Sequence, residues 1–236
     1  MSYRRDTTKR RRRRLEPDAY RGEAYVHWTV CINDRRTGWL TPVFYYRFRE
    51  LLTHSLSRYH IVCPMYCLMP DHMHLVWIGI SDQADQRLAI RHLLTSANES
   101  LGRIGFGVQT EPYDHVLRDD ERKEEAFVGL CDYVARNPER RRIVPIDGYA
   151  SYSYTGCLVP GYPELRPFAM DYWTRFWRVR SYLVRRGGGP VSGEPGYGEG
   201  GGTVSGETGY GEGGGPVLGE TGYDGAGGST PPHHPK

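Results

Sequence analysis

Cys67-Leu68-Met69-Pro70-Asp71-His72-Met73-His74-Leu75-Val76-Trp77-Ile78-Gly79-Ile80 is the most strand-like run in the chain, and it sets two histidines one residue apart. Successive side chains of a strand point to opposite faces, so His72 and His74 share one face and Met73 takes the other. Two imidazoles aimed at one point pack poorly unless each finds a partner, and a bound cation is a partner that accepts both. Taken alone, the pair is read equally well as hydrogen-bonded structural histidines or as half of a metal site. Both faces of the run are mainly apolar, with Val76, Ile78 and Ile80 behind the histidines and Leu75 and Trp77 opposite. That pattern predicts a central strand.

Working outward, Ile61–Met69 reads as a second strand. It joins the first through Pro70-Asp71, a turn signal at hairpin spacing. Ala24–Ile32 is β-branched and aromatic and ends at Asn33-Asp34, which predicts an earlier strand. Pro42 opens a helix over Val43–Tyr59, with Phe44, Phe48, Leu51, Leu52 and Leu56 at helical spacing. Asp82–Gly102 reads as another, striped by Leu88, Ile90, Leu93, Leu94, Ala97 and Leu101. Pro112–Arg118 is a short strand candidate, and Arg122–Asn137 is a helix with Pro138 as its stop. The order strand, helix, strand, strand, helix, strand, helix predicts an α+β fold: a ferredoxin-like, RRM-like antiparallel sheet packed with helices. After Arg142 the chain lacks clear periodicity and reads as a wrapping segment. Asp171–Arg186 then forms a terminal helix whose Trp173, Phe176, Trp177, Val179 and Leu183 dock on the core.

The two ends differ sharply from the middle. Residues 1–14 hold eight Lys/Arg against one Asp, including the block Lys9 to Arg14, while residues 187–236 hold six acidic residues and one Lys. An arm so charged and so poor in apolar residues does not pack. It is expected to be disordered and to meet nucleic-acid phosphates, chiefly through Arg11, Arg12 and Arg13. From Gly189 a thirteen-residue unit repeats three times (GPVSGEPGYGEGG, GTVSGETGYGEGG, GPVLGETGYDGAG), and glycine at this density predicts a disordered tail. It lacks a Gly-Lys-Ser/Thr ending and so is not a phosphate-binding loop. The expected organisation is a basic arm over 1–19, one domain over 20–160, a wrapping segment and helix over 161–186, and Gly-rich repeats over 187–236. The five cysteines form no Cys-x-x-Cys pair, which speaks against a disulfide framework or a zinc ribbon and for buried, reduced thiols. No apolar run reaches about 18 residues and no apolar segment follows the basic start, so neither membrane insertion nor export is signalled.

A second constellation lies about sixty residues beyond the histidines. Tyr133 and Asn137 are four apart on the predicted helix, one turn above the other, with Leu130 and Ala126 continuing the stripe inward. If this helix crosses the sheet face that carries His72 and His74, Asn137 adds an oxygen to two imidazole nitrogens. The result is an open N,N,O site suited to Mg²⁺ or Mn²⁺ and phosphate oxygens. Tyr133, one turn away, is then placed to attack the same phosphorus and form a phosphotyrosine. A zinc or iron protein built on the histidine pair alone lacks a third His or a carboxylate at ligand spacing.

The segments "LMPDHMHLVW" and "DYVARNPERRRIV", with "EPYDHVLRDDE" (Glu111–Glu121) between them, resemble the signature segments of the single-tyrosine HUH transposases. That is the insertion-sequence 200/605-like group, which includes the REP-associated tyrosine transposases. The resemblance spans roughly residues 20–160. It implies that His72 and His74 are the metal ligands of an HUH motif on a central strand, Asn137 the third ligand and Tyr133 the nucleophile. It implies Mg²⁺- or Mn²⁺-dependent cleavage and joining of hairpin-containing single-stranded DNA through a 5′-phosphotyrosine. Arg136, Arg140 and Arg141 follow the nucleophile as phosphate contacts, a homodimer is allowed, and the setting is cytoplasmic and nucleoid-associated. Where REP-associated members carry a Gly-Thr-Ser-like motif, this chain has Gly22-Glu23-Ala24. A different class of function is also compatible with the residues: a non-catalytic binder of structured single strands on the same fold.

Overall fold

The computed structural model describes residues 14–187. The expectations for Arg11, Arg12 and Arg13 and for the repeats beyond Gly187 lie outside the described residues. Five strands form one antiparallel sheet: β1 (Tyr25–Cys31), β2 (Ile61–Met69), β3 (His72–Gly79), β4 (Tyr113–Val116) and β5 (Thr155–Leu158). Their order is β4-β1-β3-β2-β5, with β3 in the middle. The first four strands, with α1 (Pro42–Arg58) and α2 (Gln86–Gly102) as crossovers, reproduce the predicted ferredoxin-like order. Met69 pairs with His72, so Pro70-Asp71 is a two-residue hairpin loop.

The period-2 reading of β3 separates two apolar layers. Met73, Leu75 and Trp77 face α1 and α2, where Phe44, Phe48, Leu51, Leu52 and Leu56 are all buried. Val76, Ile78 and Ile80 face α3 (Glu124–Ala135) and α5 (Tyr172–Arg185), meeting Phe127, Cys131, Val134, Phe176 and Leu183. On α2 the predicted stripe is buried at Ile90, Leu93, Leu94, Ala97 and Leu101 and fails only at its first residue. Leu88 is exposed while Ala89 and Gln86 are buried, and the helix starts after Asp85, which accepts from Arg87 N and Leu88 N.

Two expectations need correction. The segment after Arg142 is not wrapping chain throughout: β5 pairs with β2 and closes the sheet's far edge. Four residues are too few for a period-2 signal to emerge, and all four are buried. The helix Arg122–Asn137 is in fact two helices. Its regular part ends at Ala135, Arg136 leaves helical geometry, and a single turn, α4 (Asn137–Arg140), follows. Pro138 therefore starts a helical turn rather than stopping one, since its fixed φ and missing N–H suit the first positions of a helix. The terminal helix docks as expected, its Trp173 and Trp177 stacked together with Phe127 5.7 Å from the Trp177 ring.

Gly79 ends β3 where the chain must pass close to another backbone. A Cβ there would lie 1.9 Å from the carbonyl oxygen of Gly22, itself at φ +61°. Neither backbone can yield without breaking the Gly79 N–H bond to Ala24 O or the Gly22 N–H bond to Ala84 O. Gly79→Ala is expected to destabilise the fold by about 2–3 kcal/mol. A urea midpoint equal to that of the native chain would refute this close-packing account.

Candidate functional site

His72 and His74 emerge on the face of β3 that α3 covers further along. Their Nε2 atoms are 3.0 Å apart with the rings nearly perpendicular. Each ring's other nitrogen is engaged. His72 Nδ1 lies 2.6 Å from Asp71 Oδ1, and His74 Nδ1 lies 3.1 Å from His27 Nε2 and 3.3 Å from Thr29 Oγ1. Burial raises the Asp71 carboxyl, but the bond to His72 and the charge of Arg35, 3.1 Å away, outweigh it and hold it below the usual range. An ionised carboxylate only accepts, so His72 carries its proton on Nδ1 and presents Nε2 as a lone pair.

Burial also keeps the cluster uncharged. Desolvation lowers His72, with Asp71 opposing it, and pushes His74 down to about 3, assisted by His27 and His72. It takes His27 to about 4, with His115 adding to the effect. These rings are neutral when folded, whereas an unfolded histidine titrates near 6.5. Stability from His27 and His74 is thus whole above pH 6.5. It drains as the pH falls toward their folded values, because only the unfolded chain takes up protons in that window. Between pH 7 and pH 5 the loss is expected to reach about 2–4 kcal/mol, read from urea midpoints at each pH. A midpoint unchanged over that range would show that the pair is not held neutral.

The second half of the site arrives from α3. Phe127 sits edge-on to Tyr25, which pairs with Ile78 at the far end of β3. From there α3 packs along the sheet so that α4 contacts β2 and the charge of Arg141 bears on His72. Asn137 is buried, and its Nδ2 donates to the carbonyls of Tyr133 and Val134, 3.0 and 3.1 Å away. Both bonds use the amide nitrogen, so Oδ1 is the atom left to act as a ligand. Tyr133 is not on the core-facing stripe. That stripe is Phe127, Cys131 and Val134, while Ala126 is exposed and Tyr133 is 45% exposed. The more apolar Val134, one residue on and about 100° round the helix, takes the buried position. Among the described residues no hydrogen bond joins Tyr133 or Asn137 to the imidazoles.

The arginines divide. Arg140 lies over the Tyr133 ring, 4.4 Å from its centroid. Arg136, expected at phosphate, is instead bonded to Asp132, Glu139 and Asp147 and covers the Tyr149 ring at 4.1 Å. Three carboxylates already meet that cation, and it clamps α3, α4 and the following loop together.

The donor set fits a divalent cation. Two ligands at right angles about 2.1 Å from an ion stand about 3.0 Å apart, which is the spacing of the two Nε2 atoms. Among the described residues no three His, Cys, Asp or Glu side chains form a metal-holding group, and the Asn137 amide oxygen is a donor outside that list. Imidazole nitrogens with an amide oxygen form a mixed, incomplete set that leaves places for water and phosphate oxygens.

A solved structure of a REP-associated tyrosine transposase bound to a REP hairpin matches with a TM-score of 0.50 and 19% identity, over 61% of this chain and 79% of that one. The chain has the fold of that transposase. No protein-family model matches the sequence, and no curated protein does. On this transposase fold, sequence reasoning passed over three supporting groups: Asp71, His27 and Thr29. Asp71 was absorbed into a turn signal. His27 and Thr29 reach His74 only because of the β1–β3 register, which sets Thr29 opposite it. Among the described residues no helix is long and apolar enough to cross a membrane.

Proposed function

We propose that this chain is a metal-dependent, transposase-like endonuclease of the single-tyrosine HUH kind. It cleaves and rejoins hairpin-containing single-stranded DNA through a 5′-phosphotyrosine. The observation that carries the reading is the pair of facing imidazole nitrogens on the sheet face against which α3, bearing Tyr133, packs, with Asn137 buried at the start of α4. The transposase fold supports it. His72, His74 and Asn137 would hold Mg²⁺ or Mn²⁺, which when bound supplies Lewis-acid polarisation of the scissile phosphate.

The remaining work falls to the chain's own groups. The Tyr133 oxygen attacks phosphorus, its phenol proton passes to solvent, the bond to the 3′ oxygen breaks, and that oxygen takes a proton from solvent as it leaves as a hydroxyl. The 5′ phosphate stays on Tyr133. A free 3′-hydroxyl reverses the step with the phenol as leaving group. One phosphoester replaces another in each direction, so no nucleotide cofactor is required. The Arg140 guanidinium over the ring favours negative charge on the phenol oxygen as it attacks. Arg141, whose charge bears on His72, is the guanidinium this reading assigns to a phosphate oxygen. Asp71 fixes the ring of His72, and the two bonds from Asn137 Nδ2 hold its oxygen in one orientation. The basic arm adds sequence-independent phosphate contacts, and chromosomal DNA in the cytoplasm is the setting this reading implies.

The test is incubation of the full chain with a pool of labelled single-stranded hairpins and Mg²⁺ or Mn²⁺, scored for denaturant-resistant protein–DNA adducts. One feature favours a second reading, a non-catalytic binder: the exposed Tyr133 makes no bond to the imidazoles. Retention of hairpins without any adduct would decide for the binder.

A further inference from the structure

The sheet face that carries the histidines is only half covered. Over β2 and β3 it is sealed by α3 and α5, and the apolar layer there reaches β1 only at Tyr25. Toward the other edge the face is open, and none of the four residues of β4 is buried. Register continues the site directly into this open strip. Thr29, which touches His74 Nδ1, is paired on its other side with Tyr113, and His27 likewise with His115. Directly opposed residues of an antiparallel pair share a face. Tyr113, Thr29 and His74 therefore form one cross-strand row. At about 4.8 Å per strand the Tyr113 backbone stands about 10 Å from that of His74. The ring is 50% exposed and, with Cys31, Glu111, His115 and Arg118, lines part of an open groove that runs round the β4 edge to Arg14 and Asp114 on the other face. The acids nearby are already engaged. Asp114 points to the opposite face, where Tyr20 and Arg14 hold it, and Glu121 accepts from His115 and from the Arg118 N–H.

We propose that the β4–β1 strip is a base-stacking subsite for single-stranded DNA, in which the Tyr113 ring takes the base of a nucleotide neighbouring the phosphate at the imidazole pair. The inference rests on the function proposed above and adds where the strand leaves the site. An exposed aromatic on an open sheet face, with a guanidinium in the same groove, is a platform that every base can use. An unpaired base on a single strand offers the ring its face, whereas a base inside a duplex does not.

The test uses the full chain carrying Tyr133→Phe, so that no cleavage disturbs equilibrium. The probe is a DNA hairpin with an oligothymidine flank bearing 2-aminopurine at successive positions. Binding is expected to quench the fluorophore most strongly at one flank position. Tyr113→Leu is expected to relieve that quenching and weaken binding about tenfold, whereas Tyr113→Trp retains both. Quenching and affinity unchanged in Tyr113→Leu would overturn the subsite, and adduct formation by the native chain would leave the proposed function standing. Tyr113-dependent quenching without adducts would keep the subsite on a non-catalytic binder. A chain that binds no hairpin at all would overturn both.

Discussion

Replacing Tyr133 by Phe is expected to abolish the covalent protein–DNA adduct while leaving hairpin binding in place. The substitution removes one oxygen and nothing else that the structure uses. The Tyr133 ring is half exposed and keeps its place under Arg140, and its backbone carbonyl still accepts from Asn137. Among the described residues the hydroxyl is bonded to no protein group, so stability should change by less than about 0.5 kcal/mol. On the proposed function, affinity comes mainly from arginine contacts to phosphate, which this substitution leaves untouched. The covalent step has no substitute nucleophile on this turn of helix, because Asp132 is committed to Arg136 and Asn137 to the helix end. Cleavage should therefore fall by on the order of a thousandfold or more. The measurement is a denaturing gel of labelled hairpin with the native and Phe chains at matched binding saturation. An adduct of undiminished yield from the Phe chain would move the nucleophile elsewhere.

What could be read from the sequence follows from how local each signal is. The alternation of β3 is local, and it placed His72 and His74 on one face and β3 at the sheet's centre. The five-residue stripe of α1 is equally local and is buried without exception. Asn137 is buried as the spacing predicts, yet the side of α3 that Tyr133 occupies was misjudged. A stripe of Ala126, Leu130 and Tyr133 competes with Phe127, Cys131 and Val134 only one residue away, and burial decides for the bulkier, more apolar set. β5 has four residues and is defined by its partner, not by its own pattern. The support beneath the metal candidates is hidden more deeply. His27 and Thr29 lie 45 or more residues from His74 and meet it through strand register. Arg136, read as a phosphate contact, pairs with Asp132 and Glu139 within one turn of it and with Asp147 in the loop beyond, whose approach no sequence signature announces.

Loss of His72 and loss of Asp71 should differ in degree, because one is a proposed ligand and the other holds that ligand's ring. His72→Ala removes one of the two facing imidazole nitrogens on which the proposed metal site rests. Mn²⁺ affinity of the hairpin complex and adduct formation should fall together, each beyond a hundredfold. Asp71→Ala leaves both imidazoles but frees the His72 ring, which can then carry its proton on either nitrogen and turn in its pocket. Outer partners of metal-bound histidines typically contribute about 10–100-fold in affinity, so this variant should fall between His72→Ala and the native chain. Raising Mn²⁺ should recover its cleavage while leaving His72→Ala inactive. Asp71 is also joined to Arg35 at the surface, and that exposed pair contributes at most about 1 kcal/mol. Thermal unfolding should thus separate a shifted ligand from a loosened fold. The readouts are a Mn²⁺ titration followed by electron paramagnetic resonance and adduct yield across the same metal series. Chelator-treated protein that cleaves at the native rate, or an Asp71→Ala chain whose metal affinity matches the native one, would separate the imidazole pair from the chemistry.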